Sequence, residues 1–408
     1  MTDSTARHGI RNESVRTANL GTILRRLHFG GPASRSQLVE ATGLTRSSVA
    51  GLVGALVDAG LVTETASLPD GSPGRPSPLV AANETNAVLA VEIEVDSVAV
   101  AIVGLGGTVL YQSRRQRPRS RSSVEDTVVD IAELVAEARE AAPDVPFHGV
   151  GIAVAGLVYR QTNTVVVAPN LGWADVPLAA LLLEACGLDL PVAVANEGDL
   201  AALAETSRGI ATKLANVIFL SGEVGVGGGI ISDGRPTTGK NGFAGEIGHL
   251  PVNPNGHLCG CGAKGCWETE IGERALLRRT GRPVDGGRAA LDDVLEAAAA
   301  GDADVLQALT DQGEWIGFGL TGLVHVFDPD IIVLGGILRR IYPFVIDAAR
   351  TVLAGRLLGS SIESIEIVAS GLGEDAPLLG AAELAFKPLL ADPLRAAAVT
   401  AGGGQATR

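Results

Sequence analysis

The feature that most constrains the fold is a unit that recurs from residue 87 onward. It is a run of β-branched and aliphatic residues, followed by a glycine-rich turn or by a helical segment. Runs of this kind lie at residues 88–103, 149–157, 192–195, 217–220 and 331–334. Strands that alternate with helices predict α/β sheets, in which ligands bind beyond the strand ends. With 408 residues, the chain is long enough for two or three compact units.

The first 83 residues have a different pattern. Through residues 14–65, apolar residues recur at helical spacing in three segments, with a short turn between the second and the third. Residues 63–83 contain Asp70-Gly71 and Gly74-Arg75-Pro76, which predict two strands with a turn and a stiff exit. Three helices and such a hairpin are typical of a winged helix-turn-helix domain, and we assign residues 1–83 to it.

Capping residues predict where the second and third helices begin. Ser34 and Gln37 have the spacing of a capping box. Gly43 permits a tight turn, and Thr45 is a candidate N-cap of the third helix. The apolar side of that helix is formed by Val49, Leu52, Val53 and Leu56.

The other side of the third helix carries short side chains, apart from Arg46, so the helix can lie deep in a DNA major groove. Arg75 is placed to enter a minor groove. The candidate DNA-contacting residues are Ser36, Thr45, Arg46, Ser47, Ser48, Gly51 and Arg75. The alternative is a helical bundle with a solvated hairpin that serves in dimerisation.

Charge is distributed unevenly along the chain. The formal net charge is −14, which by itself argues against nucleic-acid binding. Residues 1–80, however, hold eight Arg against six Asp and Glu, so only the N-terminal unit is electrostatically suited to DNA. The five arginines of residues 114–121 have no aromatic neighbours that stack on bases, and we expect a solvated loop there.

Neither a membrane span nor a secretion signal is predicted. No uninterrupted apolar run approaches the roughly 20 residues that a membrane helix needs. Residues 1–19 are polar and carry three arginines, unlike a secretion signal. The expected location is therefore the cytoplasm. Residues 391–408 are small and polar, and we expect them to form a flexible tail.

One short segment has the composition of a metal site. Cys259, Cys261 and Cys266 fall within eight residues, which in a cytosolic chain favours a metal over disulfides. With His249 they supply three thiols and one imidazole, the ligands of a closed tetrahedral zinc shell. A shell without an open position predicts a structural zinc ion, held by a loop over residues 249–266.

One further residue is a weaker candidate for this site, and the fourth cysteine is not a candidate. His257 is a rival ligand, but it stands only two residues before Cys259, and so short a span would strain the chelate. Cys186 lies apart among leucines, and we expect it to be a small buried apolar side chain.

The same segment carries a family resemblance. FLSGEVGVGGGIISDGRPTTGKNGFAGEIGHLPVNPNGHLCGCGAKGCWETE, at residues 219–270, closely resembles the signature region of the ROK family, whose name joins repressors, open reading frames and kinases. PNLGW at 169–173, DPDIIVLGG at 328–336 and EDAPLLGAA at 374–382 also resemble family segments. The resemblance implies an actin-like, ribonuclease H-like sugar-kinase fold over residues 84–390, with two α/β lobes and a cleft between them.

The resemblance also implies a ligand. Carried over motif by motif, it places the family's sugar contacts on Asn170, Asn196, Glu197, Glu246, His249 and Glu268. Carboxylates and amides form paired hydrogen bonds with vicinal hydroxyls, which suits a small carbohydrate. One ring nitrogen of His249 would bind zinc, which leaves the other for a sugar hydroxyl.

The phosphate-binding segments of kinase members are altered here. Where those members read Asp-x-Gly-Gly-Thr-Lys, residues 92–97 read EIEVDS, and Glu223-Val224 replaces a Gly-Thr pair. Glu94 and Asp96 would face a polyanion, and unit charges about 4 Å apart repel by roughly 4 kcal/mol at an effective dielectric of about 20. We therefore expect weak nucleotide binding.

The catalytic position is altered as well. The family's catalytic Asp position carries Glu197, which is one methylene longer, and a misplaced base loses orders of magnitude in rate. Asp199 is an alternative base, but in a helix that begins here it would face away from Glu197. We therefore assign no catalytic residue and no enzymatic activity.

Together these features predict a regulator of the repressor branch, which is described as xylose- or N-acetylglucosamine-repressor-like. It would be a homodimer or a dimer of dimers that binds palindromic double-stranded operator DNA and responds to a small sugar. Two alternatives stay open. One is an ATP-dependent, hexokinase-like ROK sugar kinase with an attached DNA-binding domain, and the other is a sugar-binding module without DNA affinity.

Overall fold

The computed structural model describes residues 4–65, 78–358 and 365–403. The N-terminal unit is the first of its parts along the chain. Its elements are α1 (Ser4–Gly30), β1 (Ala33–Ser34), α2 (Arg35–Thr42), α3 (Arg46–Asp58), β2 (Val62–Thr65) and β3 (Leu79–Ala82). Strands β1 and β2 both pair antiparallel with β3. The predicted winged helix-turn-helix is confirmed, although α1 begins about ten residues before the predicted start at residue 14.

Local capping sets the helix ends as predicted. The amide of Gln37 donates to the Ser34 hydroxyl at 3.2 Å, and the Gln37 side chain accepts from the Ser34 amide at 2.8 Å. Gly43 adopts the left-handed conformation with φ of 68°. The Thr45 hydroxyl accepts from the amide of Ser48 at 3.2 Å.

The first lobe contains a five-stranded sheet. Its strands are β4 (Ala87–Ile93), β5 (Ser97–Gly104), β6 (Val109–Gln116), β7 (Phe147–Val154) and β11 (Val192–Asn196). Their order is β11-β7-β4-β5-β6, with β7 parallel to both β4 and β11. A smaller sheet beside it contains β8 (Leu157–Tyr159), β9 (Thr164–Ala168) and β10 (Trp173–Val176).

Helices cover both faces of the large sheet, so its inner strands are largely apolar, with Glu92 of β4 as a fully buried acidic residue. The helices are α4 (Val124–Ala141), α5 (Leu178–Ala185), α6 (Glu197–Ser207) and α12 (Ala376–Ala391). Leu134 of α4 and Leu182 of α5 pack with Val91 on one face. Leu200 of α6 and Leu378 of α12 pack with Ala90 on the other.

The second lobe repeats this layout. Its strands are β12 (Val217–Gly222), β13 (Val226–Ser232), β14 (Arg235–Pro236), β15 (Ile331–Gly335) and β16 (Glu366–Ala369), in the order β14-β13-β12-β15-β16. Its helices are α7 (Glu268–Ile271), α8 (Glu273–Arg279), α9 (Gly287–Ala299), α10 (Ala303–Phe327) and α11 (Gly336–Ala354). The fully buried Trp267 lies in its core. The predicted two-lobed α/β fold is confirmed.

The C-terminal segment differs from the prediction of a flexible tail. Residues 393–403 form α13 (Pro393–Gly403), and Leu394 and Ala397 pack against the apolar core that α1 and α12 share. The small residues that suggested fraying are mostly alanines, which have the highest helix propensity. Within the described residues, no helix combines the length and the apolar character needed to cross a bilayer.

Candidate functional site

A cavity of about 80 Å³ lies where the two lobes meet, beyond the ends of β11 and β12. All six predicted sugar-contacting residues line it: Asn170, Asn196, Glu197, Glu246, His249 and Glu268. We call this part of the cleft the sugar half. The structure brings the six residues together, and their contact with a sugar stays a prediction.

The end of β11 and the start of α6 fix two of these residues. The amide of Gly198 donates to Asn196 Oδ1 at 2.8 Å, which caps α6, and Asn196 Nδ2 donates to the Gly156 carbonyl at 3.1 Å. Glu197 is therefore held at the first helical position. The β12–β13 turn closes the opposite wall, where a Cβ at Gly225 would lie 2.8 Å from Asn170 Nδ2.

Glu197 is poorly suited to act as a base. Burial of its carboxyl, together with the nearby Glu94 and Glu246, raises the pKa of Glu197 to about 8. At neutral pH the carboxyl is then mostly protonated, so it donates a hydrogen bond, and only a minor fraction is ionised and able to accept the proton of a hydroxyl. Asp199 accepts from Arg160 at 2.8 Å and does not line the cavity, in agreement with the expected orientation away from Glu197.

The predicted metal ligands form one cluster. One ligand atom from each of His249, Cys259, Cys261 and Cys266 lies within 4.8 Å of the other three. The His249 Nδ1 to Cys259 Sγ distance and the Cys261 Sγ to Cys266 Sγ distance are both 3.6 Å. A tetrahedron with Zn–S bonds of about 2.3 Å has edges of about 3.8 Å, so the donor set fits a zinc ion.

The cluster adjoins the sugar half through His249. Nδ1 of this ring faces Cys259, whereas Nε2 lies 4.0 Å from Glu246 Oε2 in the cavity wall. The two nitrogens therefore face the metal cluster and the cavity wall, and their roles toward zinc and a sugar stay a prediction. His257 is exposed and does not belong to the cluster. Cys186 packs against the apolar core of the first lobe as expected, but it is half-buried and not buried.

The altered phosphate segments, residues 92–97 around the β4–β5 turn and Glu223, form the neighbouring part of the cleft, which we call the phosphate half. Glu94, Asp96 and Glu223 also line the cavity of about 80 Å³, so this cavity extends from the sugar half into the phosphate half. A second cavity, of about 20 Å³, is lined by Glu94, Glu197 and Glu223. Glu92 is fully buried and accepts from Arg114 Nη2 at 2.5 Å. Glu94 Oε2 accepts from the Ser97 hydroxyl at 2.6 Å and lies 3.6 Å from Arg114 Nη1.

Two more arginines enter the phosphate half. Arg119 Nη2 lies 3.0 Å from both carboxylate oxygens of Glu273 and 3.4 Å from Asp96 Oδ2. Arg288 Nη1 donates to Glu374 at 3.1 Å. The expected repulsion of a triphosphate is therefore reduced, because guanidinium groups pair with several of these carboxylates and partly neutralise them.

Glu223 occupies a helix N-terminus, the kind of position that binds phosphate in nucleotide sites. It lies against the start of α11, where a Cβ at Gly336 would be 2.4 Å from Glu223 Oε1. Burial, with Glu94 and Glu197 nearby, raises the pKa of Glu223 well above its usual range. A side chain of this chain therefore covers the N-terminus of α11.

The solvated loop expected at residues 114–121 was a wrong prediction. Arg114 and Arg115 belong to β6, Arg117 is buried with 6% exposure, and residues 119–121 form a short 3-10 turn. Sequence reasoning also missed Arg288 as a cleft residue. The only available signal was that buried carboxylates need counter-ions.

The predicted DNA-contacting face of α3 is open. The side chains or backbone of Thr45, Arg46, Ser47, Ser48 and Gly51 are exposed, as is Ser36 on α2. A Cβ added at Gly51 would meet no atom within 4 Å, so the helix surface is smooth there. Arg75 lies outside the described residues. The role of these residues in DNA binding stays a prediction.

Comparisons with known proteins agree with this geometry. The sequence profile of the ROK family matches residues 88–387, and that of the MarR family matches residues 21–71. The chain is 30% identical to a xylose repressor of Bacillus subtilis (strain 168) over 380 residues, which is 92% of this chain and 97% of that protein. It is 32% identical to a glucokinase of Streptomyces coelicolor over 323 residues, which is 75% of this chain and 98% of that one.

Among solved structures, too, a regulator aligns over nearly the whole chain, whereas a kinase aligns over only part of it. A ROK family transcriptional regulator, described as a homolog of the E. coli MLC protein, superposes with a TM-score of 0.77 at 26% identity. The match covers 95% of this chain and 99% of the regulator. A ROK family glucokinase from Streptomyces griseus, in complex with glucose and AMPPNP, gives a TM-score of 0.65 at 31% identity over 73% of this chain and 99% of the kinase.

Proposed function

The chain belongs to the ROK family, and on this premise we propose that it is a transcriptional repressor of carbohydrate genes, controlled by a small sugar in its cleft. The observation that carries this proposal is that the two halves of the cleft differ in how their carboxylates are paired. The carboxylates of the sugar half line the larger cavity, whereas in the phosphate half Glu92 pairs with Arg114 and Glu273 pairs with Arg119.

The extent of the similarities supports a repressor. The match to the xylose repressor covers 92% of this chain, whereas the match to the glucokinase covers 75%. The additional unit includes α3, with its exposed short side chains and Arg46. Xylose, which the repressor relatives are named for, is the first effector to test.

Each part of the sensor has a proposed role. A structural zinc ion held by His249, Cys259, Cys261 and Cys266 would fix the loop that carries Glu268. His249 and the five other residues of the sugar half would bind the sugar hydroxyls. Sugar binding changes operator affinity only if the sugar binds two states of the protein unequally, with a typical coupling of about 5-fold to 150-fold. A homodimer would present two α3 helices to a palindromic site.

The direct test is fluorescence anisotropy on the DNA that flanks the coding region of this protein, titrated with a panel of sugars that includes D-xylose. We expect salt-sensitive binding and a sugar that changes the operator Kd by at least about fivefold. Arg46→Ala should weaken operator binding by about 10-fold to 100-fold, and Arg139→Ala, at an exposed arginine of α4, should not. Absence of salt-sensitive DNA binding would refute the proposal.

A sugar kinase with a DNA-binding unit is the second candidate, because the chain is 32% identical to a glucokinase. Release of ADP that depends on a sugar and exceeds about one turnover per second would favour this candidate. The protonated state of Glu197 and the ion pairs of the phosphate half argue against it.

A further inference from the structure

A buried polar cluster joins the DNA-binding unit to the first lobe. It contains His28 of α1 and Glu383 of α12, which are 1% and 3% exposed. His28 Nδ1 accepts from the Gly106 amide at 2.9 Å, so Nε2 carries the ring proton and donates to Glu383 Oε2 at 2.9 Å. Arg208 Nε donates to the other carboxylate oxygen, and Arg208 Nη2 lies 2.8 Å from His28 Nε2. We call His28, Arg208 and Glu383 the joint.

Close packing holds the guanidinium of the joint in one position. Arg208 Nη1 donates to the Gly106 carbonyl at 2.9 Å, and a Cβ at Gly107 would lie 2.1 Å from Arg208 Cζ. The Arg208 Cζ atom also lies 5.5 Å from the centre of the Phe29 ring. His28 and Arg208 both hydrogen-bond to Glu383, and together they lower the pKa of Glu383, although burial alone would raise it.

Helices α6 and α12 connect the joint to the cleft. Helix α6 begins at Glu197 in the sugar half and ends at Ser207, directly before Arg208. Its 11 residues span about 16 Å. Helix α12 begins beside Pro377, which lines the smaller cavity together with Glu197. The two helices touch backbone to backbone, because a Cβ at Gly380 would lie 1.9 Å from the Leu200 carbonyl oxygen.

On the other side of the joint, α1 belongs to the DNA-binding unit. Arg25 Nη1 donates to the Leu390 carbonyl of α12 at 2.9 Å, and a Cβ at Gly21 would lie 2.5 Å from the same oxygen. Leu24 of α1 and Val53 of α3 lie in one apolar core with Leu390. A displacement of α12 or of Arg208 therefore acts directly on the helix against which α3 packs.

We propose that α6 and α12 transmit sugar occupancy to the DNA-binding unit, and that the joint of His28, Arg208 and Glu383 is the point of transmission. This inference rests on the proposed function. A sugar that contacts Glu197 shifts the start of α6, and the tight packing at Gly380 moves α6 and α12 together. The joint then moves α1, because α1 and the segment after α6 both hydrogen-bond to the carboxylate of Glu383 on α12.

The experiment measures coupling in the full-length protein. Coupling is the ratio of operator Kd values with and without saturating D-xylose, or the sugar of the panel with the largest effect. In Glu383→Gln, we expect this ratio to approach one, with a loss of at least about fivefold, while calorimetry gives a sugar Kd within about twofold of wild type. The side chain keeps its size and loses the charge that holds both donors.

The double variant Arg208→Gln with Glu383→Gln keeps the test valid if the single variant folds poorly, because it leaves no unpaired buried charge. Arg115→Gln is the matched control. It removes an arginine of the same lobe that pairs with Glu133 at 2.5 Å, away from α6 and α12. We expect its coupling to equal that of wild type.

The outcomes separate the inference from the proposed function. Normal sugar binding with normal coupling in both Glu383 variants overturns the inference and leaves the repressor assignment standing. Lost coupling in Arg115→Gln to the same degree also overturns it, since the effect is then not specific to the joint. A wild-type operator affinity that no sugar alters overturns the proposed function and the inference with it.

Discussion

The two halves of the cleft contain similar polar residues in opposite states. In the sugar half, Glu246 is 38% exposed and faces a cavity of about 80 Å³. In the phosphate half, Glu92 is fully buried against Arg114, although Glu94 and Asp96 also line the larger cavity. A ligand binds to polar atoms that the protein holds in place but leaves without a partner, whereas polar atoms that pair with each other stabilise the fold. We therefore propose that the sugar half binds a ligand and that the ion pairs of the phosphate half stabilise the fold.

The largest expected effect concerns the metal cluster beside the sugar half. In Cys266→Ser, we expect loss of bound zinc and at least about a 100-fold loss of sugar affinity, because the loop that carries Glu268 is no longer fixed. Elemental analysis and calorimetry measure the two quantities. Cys186→Ser, outside the cluster, should change neither. If metal-free Cys266→Ser protein still bound the sugar with normal affinity, the metal cluster would not be needed to form the sugar half.

Substitutions in the phosphate half should lower the stability of the fold and leave sugar affinity nearly unchanged. Arg119→Ala leaves Glu273, which is 3% exposed, without its guanidinium partner. We expect the free energy of unfolding in urea to fall by about 2–3 kcal/mol, with sugar affinity within about threefold of wild type. Arg282→Ala is the control, since its partner Asp293 is 63% exposed and the loss should stay under about 1 kcal/mol. Equal losses in the two variants would contradict a structural role.

A smaller effect tests the sugar half itself. Glu246→Gln keeps the size of the side chain and removes its charge, so a charge-assisted hydrogen bond to a hydroxyl is weakened. We expect sugar affinity to fall by about tenfold, while operator affinity without sugar stays the same. Glu125→Gln, at an exposed position of α4, should bind sugar like wild type. An unchanged affinity in Glu246→Gln would remove this residue from the site.

The smallest expected effect concerns the ionisation of Glu197, which lines both cavities of the cleft. The folded protein holds the proton of Glu197 up to a pKa of about 8, whereas an unfolded chain releases it above about pH 4.5. The free energy of unfolding should therefore decrease as pH rises from about 5 to 8. Glu197→Gln imitates the protonated form. We expect equal stability at pH 5 and a gain of at least about 1 kcal/mol for the variant at pH 8, measured in urea. Parallel pH profiles would show that Glu197 is ionised in the folded state.

Local chemistry explains why much of the molecule was predictable. The caps at Ser34 and Thr45 depend on hydrogen bonds that span three residues, and both formed as expected. The metal cluster follows from cysteines that stand within eight residues of one another, with His249 ten residues before the first. Such features depend on residues that are close together in the chain, so they can be predicted without knowledge of the tertiary fold.

The ion pairs of the phosphate half could not be read in this way. Arg119 and Glu273 are 154 positions apart, and only the tertiary fold brings them together. The same holds for the joint, where His28 and Glu383 are separated by 355 positions. A run of arginines looks the same in sequence whether it is solvated or buried against distant carboxylates. The pattern of charges in a sequence therefore does not predict which carboxylates of such a cleft are paired with arginines.

Calorimetry with MgATP in the presence of saturating D-xylose, followed by analysis of the products, measures whether the cleft binds a sugar without phosphorylating it. We expect saturable sugar binding, MgATP affinity weaker than about 1 mM, and unmodified sugar after incubation. Micromolar MgATP binding accompanied by sugar phosphate in the products would instead show an active kinase.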